Sequence, residues 1–168
     1  MDNLCDIRPA EDEDIPRLVE FRKKITQHSY RANPLFLRRS ESAWDALPEQ
    51  YRQWIASDEV SFLVAEHAGQ VVAMVIGHDI RTDSLELGHL GEISDAWVEP
   101  AYRRHGLGRR LVHELARFFL AAGVEQVILD FGQGNREAEA FWLGLGLKPM
   151  LTAVAGDPRE FVEATLPD

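Results

Sequence analysis

Trp97-Val98-Glu99-Pro100-Ala101-Tyr102-Arg103-Arg104-His105-Gly106-Leu107-Gly108 joins a strand-like run to an amphipathic helix, and its reading decides the fold. Residues 91–99 read as a strand that Pro100 stops, because proline brings no N–H to a ladder. Residues 105–122 read as a helix. Leu107, Leu111, Leu115, Phe118 and Phe119 form its apolar stripe, Arg109, Arg110, His113 and Arg117 fall on its wet side, and Gly123 is placed as a C-cap. Residues 126–131 are apolar at most positions and read as a central strand. Together they make a βαβ unit, whose strands should pair parallel through a right-handed crossover.

Outward from this unit, a short strand at 5–8 ends at Pro9, and residues 12–27 read as a helix with Ile15, Leu18, Val19, Phe21 and Ile25 near one face. A second helix lies within 44–55. Residues 61–66 and 71–80 read as a hairpin around Ala68-Gly69-Gln70, and 81–88 as a polar excursion. A short helix is expected over 135–144, a strand over 147–154 and a last strand over 161–166. The reading is a mixed α/β sheet, antiparallel at first, with helices on both faces.

The 168 residues fit one domain, 1–168, with enough chain to bury a core without staples. A net charge of -10, from 28 acids against 18 bases, argues against nucleic acid as a partner. The single cysteine, Cys5, excludes an internal disulfide framework and fits a reduced, cytoplasmic setting. The segment MDNLCDIRPAEDED carries no signal-peptide pattern, and no run of 18 apolar residues suggests a membrane span. The six histidines form no metal-spacing cluster, so no metal is expected. Other signatures fail at single positions. A G-x-G-x-x-G needs glycine where Leu111 stands, and H-E-x-x-H needs histidine where Arg117 stands. No Walker-type loop and no G-x-S-x-G elbow occurs.

What remains is a reversal of charge. Arg103, Arg104, Arg109 and Arg110 fall within eight positions of an acidic chain. Gly106 and Gly108 let backbone N–H groups turn toward one point, where the helix adds its positive end. Such a loop suits a pyrophosphate; the plain structural reading is a basic helix start after a glycine turn.

These residues resemble the GNAT superfamily of acyl-CoA-dependent N-acetyltransferases. Arg103 to Gly108 is similar to its Q/R-x-x-G-x-G/A signature, and Trp97 to Tyr102 resembles its strand-end pattern. Asn135, Ala138, Phe141-Trp142 and Leu145-Gly146-Leu147 resemble its downstream N-x-x-A block, and Ile7-Arg8-Pro9-Ala10 with Asp14 its opening. The resemblance implies a sheet of six or seven strands flanked by about four helices, with the central parallel strands splayed. It implies acetyl-CoA as co-substrate, its pyrophosphate on the amides of residues 104–109 (Arg104, His105, Gly106, Leu107, Gly108 and Arg109), with Arg103 beside them. Ala96, Trp97 and Val98 would line the pantetheine and offer an oxyanion donor near Val98; Asn135, Phe141 and Trp142 would flank the cofactor. Glu92 and Asp95 are the candidate catalytic acids, able to approach one site only if a β-bulge separates them. The acceptor would be a small-molecule or protein amine, held around His28, Tyr30, Phe36 and the 81–90 loop, and the resemblance implies a homodimer. The family's tyrosine acid falls at Trp142, whose indole N–H is no useful acid. That leaves a second reading, a non-catalytic acyl-CoA-binding sensor or interaction module.

Overall fold

The computed structural model describes residues 5–36 and 38–164, the side chains of 161 and 163 excepted. Five strands form one sheet in the order β1-β2-β3-β4-β5: β1 (Asp6–Pro9), β2 (Val60–His67), β3 (Gln70–Arg81), β4 (His89–Val98) and β5 (Gln126–Leu129). The first four pair antiparallel, and β5 pairs parallel to β4. The β2–β3 turn places Ala68 at φ 49° and Gly69 at φ 76°, the twist that a two-residue hairpin loop requires.

Helices α1 (Ile15–Ala32), α2 (Glu41–Asp45) and α3 (Leu47–Ile55) precede the hairpin; α4 (Leu107–Ala122), α5 (Arg136–Leu143) and α6 (Pro158–Ala164) follow β4. Leu18, Phe21, Leu47 and Tyr51 of α1 and α3 pack with Phe62, Val64, Met74 and Ile76 on one side of the sheet. On the other side, Leu107, Leu111, Leu115 and Phe119 of α4 and Trp142 of α5 pack with Val75 and Ile93. Gly77 and Gly91 permit that approach: a Cβ on Gly77 would lie 2.4 Å from Leu115, and one on Gly91 2.8 Å from Phe119. Arg8 fixes the start of α1 to the sheet, donating to Asp14 at 2.7 Å and to Glu66 at 2.8 Å.

Four expectations need correction. The central strand is β3, whose run Val71–Gly77 is buried throughout, as a strand covered on both faces must be; β5 is the edge. Five strands and six helices stand, among the described residues, where six or seven strands and about four helices were expected. The strand expected over 147–154 does not form, since Pro149 withholds a donor in its third position. Residues 158–164 are a helix, not part of a last strand: Pro158 suits a first helical turn, and the Asp157 carboxylate accepts from the Arg159 N–H at 2.9 Å. Residues 165 and 166 of that expected strand lie outside the described residues.

Candidate active site

β4 changes character halfway along. Leu90 to Ile93 have β3 on one side and β5 on the other, with the last parallel pair at Ile93↔Leu129. From Ser94 onward only β3 remains as a partner. At the same point the β3–β4 register slips: Gly77 pairs with Ile93 and Ile76 with Asp95, so Ser94 is an extra residue in a bulge. Regular alternation would put Glu92 and Asp95 on opposite faces. The bulge puts both toward α1 and α3. Ser94 is hydrogen-bonded there to His78, which packs on Trp54 of α3, and Asp95 is ion-paired there with Arg22 of α1.

The two acids nevertheless differ. Glu92 is exposed at the rim. Asp95 is 5% exposed and paired with Arg22. Burial pushes its carboxyl up to about 6, although the Arg22 and Arg39 charges and the nearby Tyr51 hydroxyl pull the other way. Burial also raises the Tyr51 phenol, and the Asp95 charge adds to it. The Tyr51 hydroxyl, Arg22 Nε and Arg39 Nε are buried without a hydrogen-bond partner. This cluster therefore holds Asp95 in place, in a position poorly suited to take protons from a solvent-facing substrate.

The loop after β4 has the strain its sequence suggests. Gly106, the N-cap of α4, sits at φ 80°, and Arg104 at φ 62°. Arg104, His105 and Gly106 are exposed, and Leu107 is buried as the first member of the α4 stripe. Arg103 turns inward. It donates to the Val98 carbonyl at 2.9 Å and to Glu137 at 2.8 Å, and its guanidinium lies 4.8 Å from the Trp97 ring centre. It braces the loop between β4 and α5. Arg109 is exposed at the edge of a cavity of about 400 Å³ that Ile93, Phe119, Val127 and Trp142 also line. Arg110 donates to the Cys5 carbonyl at 3.1 Å.

Gly108, Val98 and Phe141 meet: a Cβ on Gly108 would lie 3.3 Å from the Phe141 ring and 3.7 Å from Val98. Ala96 is exposed and Trp97 half-buried on the stretch of β4 that β5 has left. Asn135 caps α5, its side chain accepting from the Ala138 N–H at 3.2 Å. Trp142 is a core residue, buried against Phe141 at 4.9 Å between ring centres. Opposite the parted strands, the end of α1 approaches the segment after β5. A Cβ on Gly134 would lie 2.8 Å from the Ala32 carbonyl, and Phe36 lies beside Gly132. His28 meets the Trp97 ring at 6.3 Å, and Tyr30 lies under Arg38 at 3.5 Å. The open side of β4 is thus walled by α1, by residues 130–135 and by the glycine loop.

Sequence reading missed His78, Ser94, Arg22 and Tyr51. Their signal was positional: one bulge and two elements distant in sequence bring them to β4, and no spacing rule anticipates that. Among the described residues, no group of three or more His, Cys, Asp or Glu side chains could hold a metal ion.

The family model described as the acetyltransferase (GNAT) family matches residues 24–147. N-acetyltransferase family 8 member 3 of Mus musculus is 29% identical over 97 residues, which is 58% of this chain and 42% of that protein. The chain thus spans less than half the length of this curated relative. A mutant of the BH1408 protein from Bacillus halodurans shares the fold at TM-score 0.77 and 21% identity, covering 90% of this chain and 98% of that one. A predicted acetyltransferase of Clostridium acetobutylicum, solved with acetyl-CoA, shares it at TM-score 0.71 and 18% identity, covering 93% and 97%. A strand that loses its parallel partner midway, followed by a glycine-arginine loop opening a helix, therefore coincides with a family match over most of the sequence, and the chain belongs to the acetyltransferase (GNAT) family.

Proposed function

We propose that the chain, read as one domain over 1–168, is an N-acetyltransferase that moves acetyl from acetyl-CoA to a primary amine of a small molecule or protein by direct attack. The observation that carries this reading is the continuity of β4 with the loop. An open strand edge at Ala96 to Val98 leads directly into a positive-φ glycine at a helix N-terminus. The donor set suits a diphosphate ester. Amides of residues 104–109 face the anion, Arg104 and Arg109 stand exposed for outer phosphates, and the strand edge offers N–H and C=O groups to an amide-bearing arm. Arg103 shapes this grip from behind, and Phe141 backs it beside Gly108. Asn135, as the α5 cap, and Trp142, in the core, set the position of that backing. The solved Clostridium acetobutylicum protein of the same fold, described with acetyl-CoA, supports the choice of donor.

An alkyl amine attacks a thioester only when neutral, and free amines near pKa ~10.4 are mostly charged at neutral pH. Glu92 is the better base of the two acids, because it is exposed two residues before β4 loses its β5 partner, while Asp95 is committed to Arg22. Asp95 acts as a positioning residue for the bulge. An N–H near Val98 supplies the oxyanion donor.

The experiment is calorimetric titration of acetyl-CoA into the protein and into Gly108→Glu, followed by release of CoA thiol with a panel of amines. Gly108→Glu places a carboxylate at the phosphate grip and against Phe141, so affinity should fall below detection. Unchanged affinity would remove the loop assignment. The absence of a hydroxyl at Trp142 favours one rival, a non-catalytic acyl-CoA sensor. That reading predicts tight acetyl-CoA binding with no thiol release for any amine.

A further inference from the structure

One set of side chains at the bulge has no structural necessity. His78 of β3 stands opposite Glu92 in the β3–β4 register, and the extra residue Ser94 returns to the same face. His78 Nε2 and Ser94 Oγ are 2.9 Å apart. Trp54 holds the imidazole edge-on, with ring centres 4.7 Å apart. Ser94 is also the first residue of β4 beyond its last β5 partner, where the strands part. An apolar side chain at position 78 would pack on Trp54 without the cost of half-burying an imidazole. A serine is not needed to make a bulge.

We infer that His78 and Ser94 form a proton relay for acetyl transfer, in which His78 takes the proton of the attacking amine through the Ser94 hydroxyl and returns it by the same route to the leaving sulfur. The inference rests on the acetyl-transfer reading above and assigns two residues that reading leaves idle. The step balances. The amine nitrogen forms a bond to the acetyl carbon and gives one proton to Ser94 Oγ, which passes its own proton to His78 Nε2. The carbon–sulfur bond breaks, the thiolate takes a proton from Ser94 Oγ, and imidazolium restores the hydroxyl. The products are the amide, the free thiol and neutral His78. This supplies the acid that Trp142 cannot.

Neutral His78 must accept at Nε2 and so carry its proton on Nδ1. Its surroundings favour that state. Burial lowers His78 below its ordinary value, and the Glu92 carboxylate opposes the shift, so the same carboxylate stabilises imidazolium once formed. Of the other elements against it, β2 presents Val60 and α3 presents Trp54, both uncharged.

The test compares wild type with His78→Gln, Ser94→Ala and Ser94→Thr. With acetyl-CoA affinity unchanged in calorimetry, His78→Gln and Ser94→Ala should each lower kcat on the order of 100-fold. The double variant should be little worse than either single one, because the two act as a unit. Ser94→Thr, which keeps a hydroxyl, should recover most of the rate. Wild-type kcat in both single variants, beside a wild type that binds acetyl-CoA and releases thiol, overturns the relay and leaves the transferase reading standing. A wild type that fails to bind acetyl-CoA overturns the transferase reading itself. Histidine ring NMR decides without turnover. His78 should titrate below the usual histidine range, and Glu92→Gln should lower it further. An ordinary titration untouched by Glu92→Gln overturns the relay.

Discussion

The two halves of β4 share one strand and almost nothing else. From Leu90 to Ile93 the strand is paired on both edges, alternates regularly, and presses Gly91 and Ile93 against α4. From Ser94 to Val98 it has one partner, a slipped register and a backbone edge left open. The first half is built for packing density. The second is built by subtraction, of one neighbour and one unit of register, and each subtraction exposes a group that chemistry can use. Function in this fold arises where regular structure is interrupted against a rigid flank.

Removing the difference should have the largest effect. Deleting Ser94 joins Ile93 directly to Asp95 opposite Gly77 and Ile76, so the register becomes unbroken and every remaining side chain keeps its face, while the bulge and the Ser94 hydroxyl are gone. The variant should keep cooperative unfolding by circular dichroism and lose thiol release on the order of 100-fold or more. A folded, active deletion would mean that the bulge does not make the site. Next comes the packed half. Gly77→Val drives a branched side chain into Leu115 and Phe119, where even a Cβ would stand 2.4 Å from the nearest atom. Overpacking of this kind should cost about 3 kcal/mol, or roughly 6–12 °C in Tm at this chain length. A fall under 2 °C would show that α4 can move off the sheet.

Arg22→Leu tests the second half from within, by leaving Asp95 buried and unpaired. Breaking such a pair should cost about 2–3 kcal/mol, and Arg22→Leu with Asp95→Asn should recover much of it. Additive losses in thermal unfolding would mean that the pair is incidental. A smaller, pH-dependent effect follows from Asp95 alone. Its folded value of about 6 lies above the ordinary carboxylate value of 3.8, so the folded chain binds the extra proton. Its contribution to stability is full below about pH 4 and is lost as pH rises toward 6, the reverse of a salt-bridged surface acid. Wild type should therefore lose Tm relative to Asp95→Asn across that window, and a constant difference would refute the assignment. Smallest, Gly106→Ala should cost about 1 kcal/mol, because φ 80° is strained for a residue with a Cβ. Acetyl-CoA affinity should fall with it.

How far the sequence carried the reading depends on whether a feature is local. The α4 stripe, its two flanking glycines, the hairpin turn and the glycine-arginine loop were legible, since periodicity and turn chemistry act within a few residues. Among the described residues, the extra strands expected after 146 do not form. Residues 147–154 look apolar enough for a strand, but Met150, Leu151 and Val154 stand exposed and Pro149 interrupts the ladder. The central place assigned to 126–131 failed for a related reason. An apolar run says that a strand is covered, not on how many edges it is paired, and the seven buried residues of β3 claim the centre instead.

Sequence alone determined the glycine-arginine loop, the helix it opens and the candidacy of Glu92 and Asp95, because each depends on residues within a few turns of one another. The tertiary structure decided what those candidates are. It set the bulge that places both acids on one face, the Arg22 pairing that commits Asp95 to the interior, the inward turn of Arg103, and the meeting of His78 with Ser94. Those outcomes depend on the register between strands and on helices distant in the chain. A one-residue slip in that register reverses every side chain beyond it, and no local pattern records the slip.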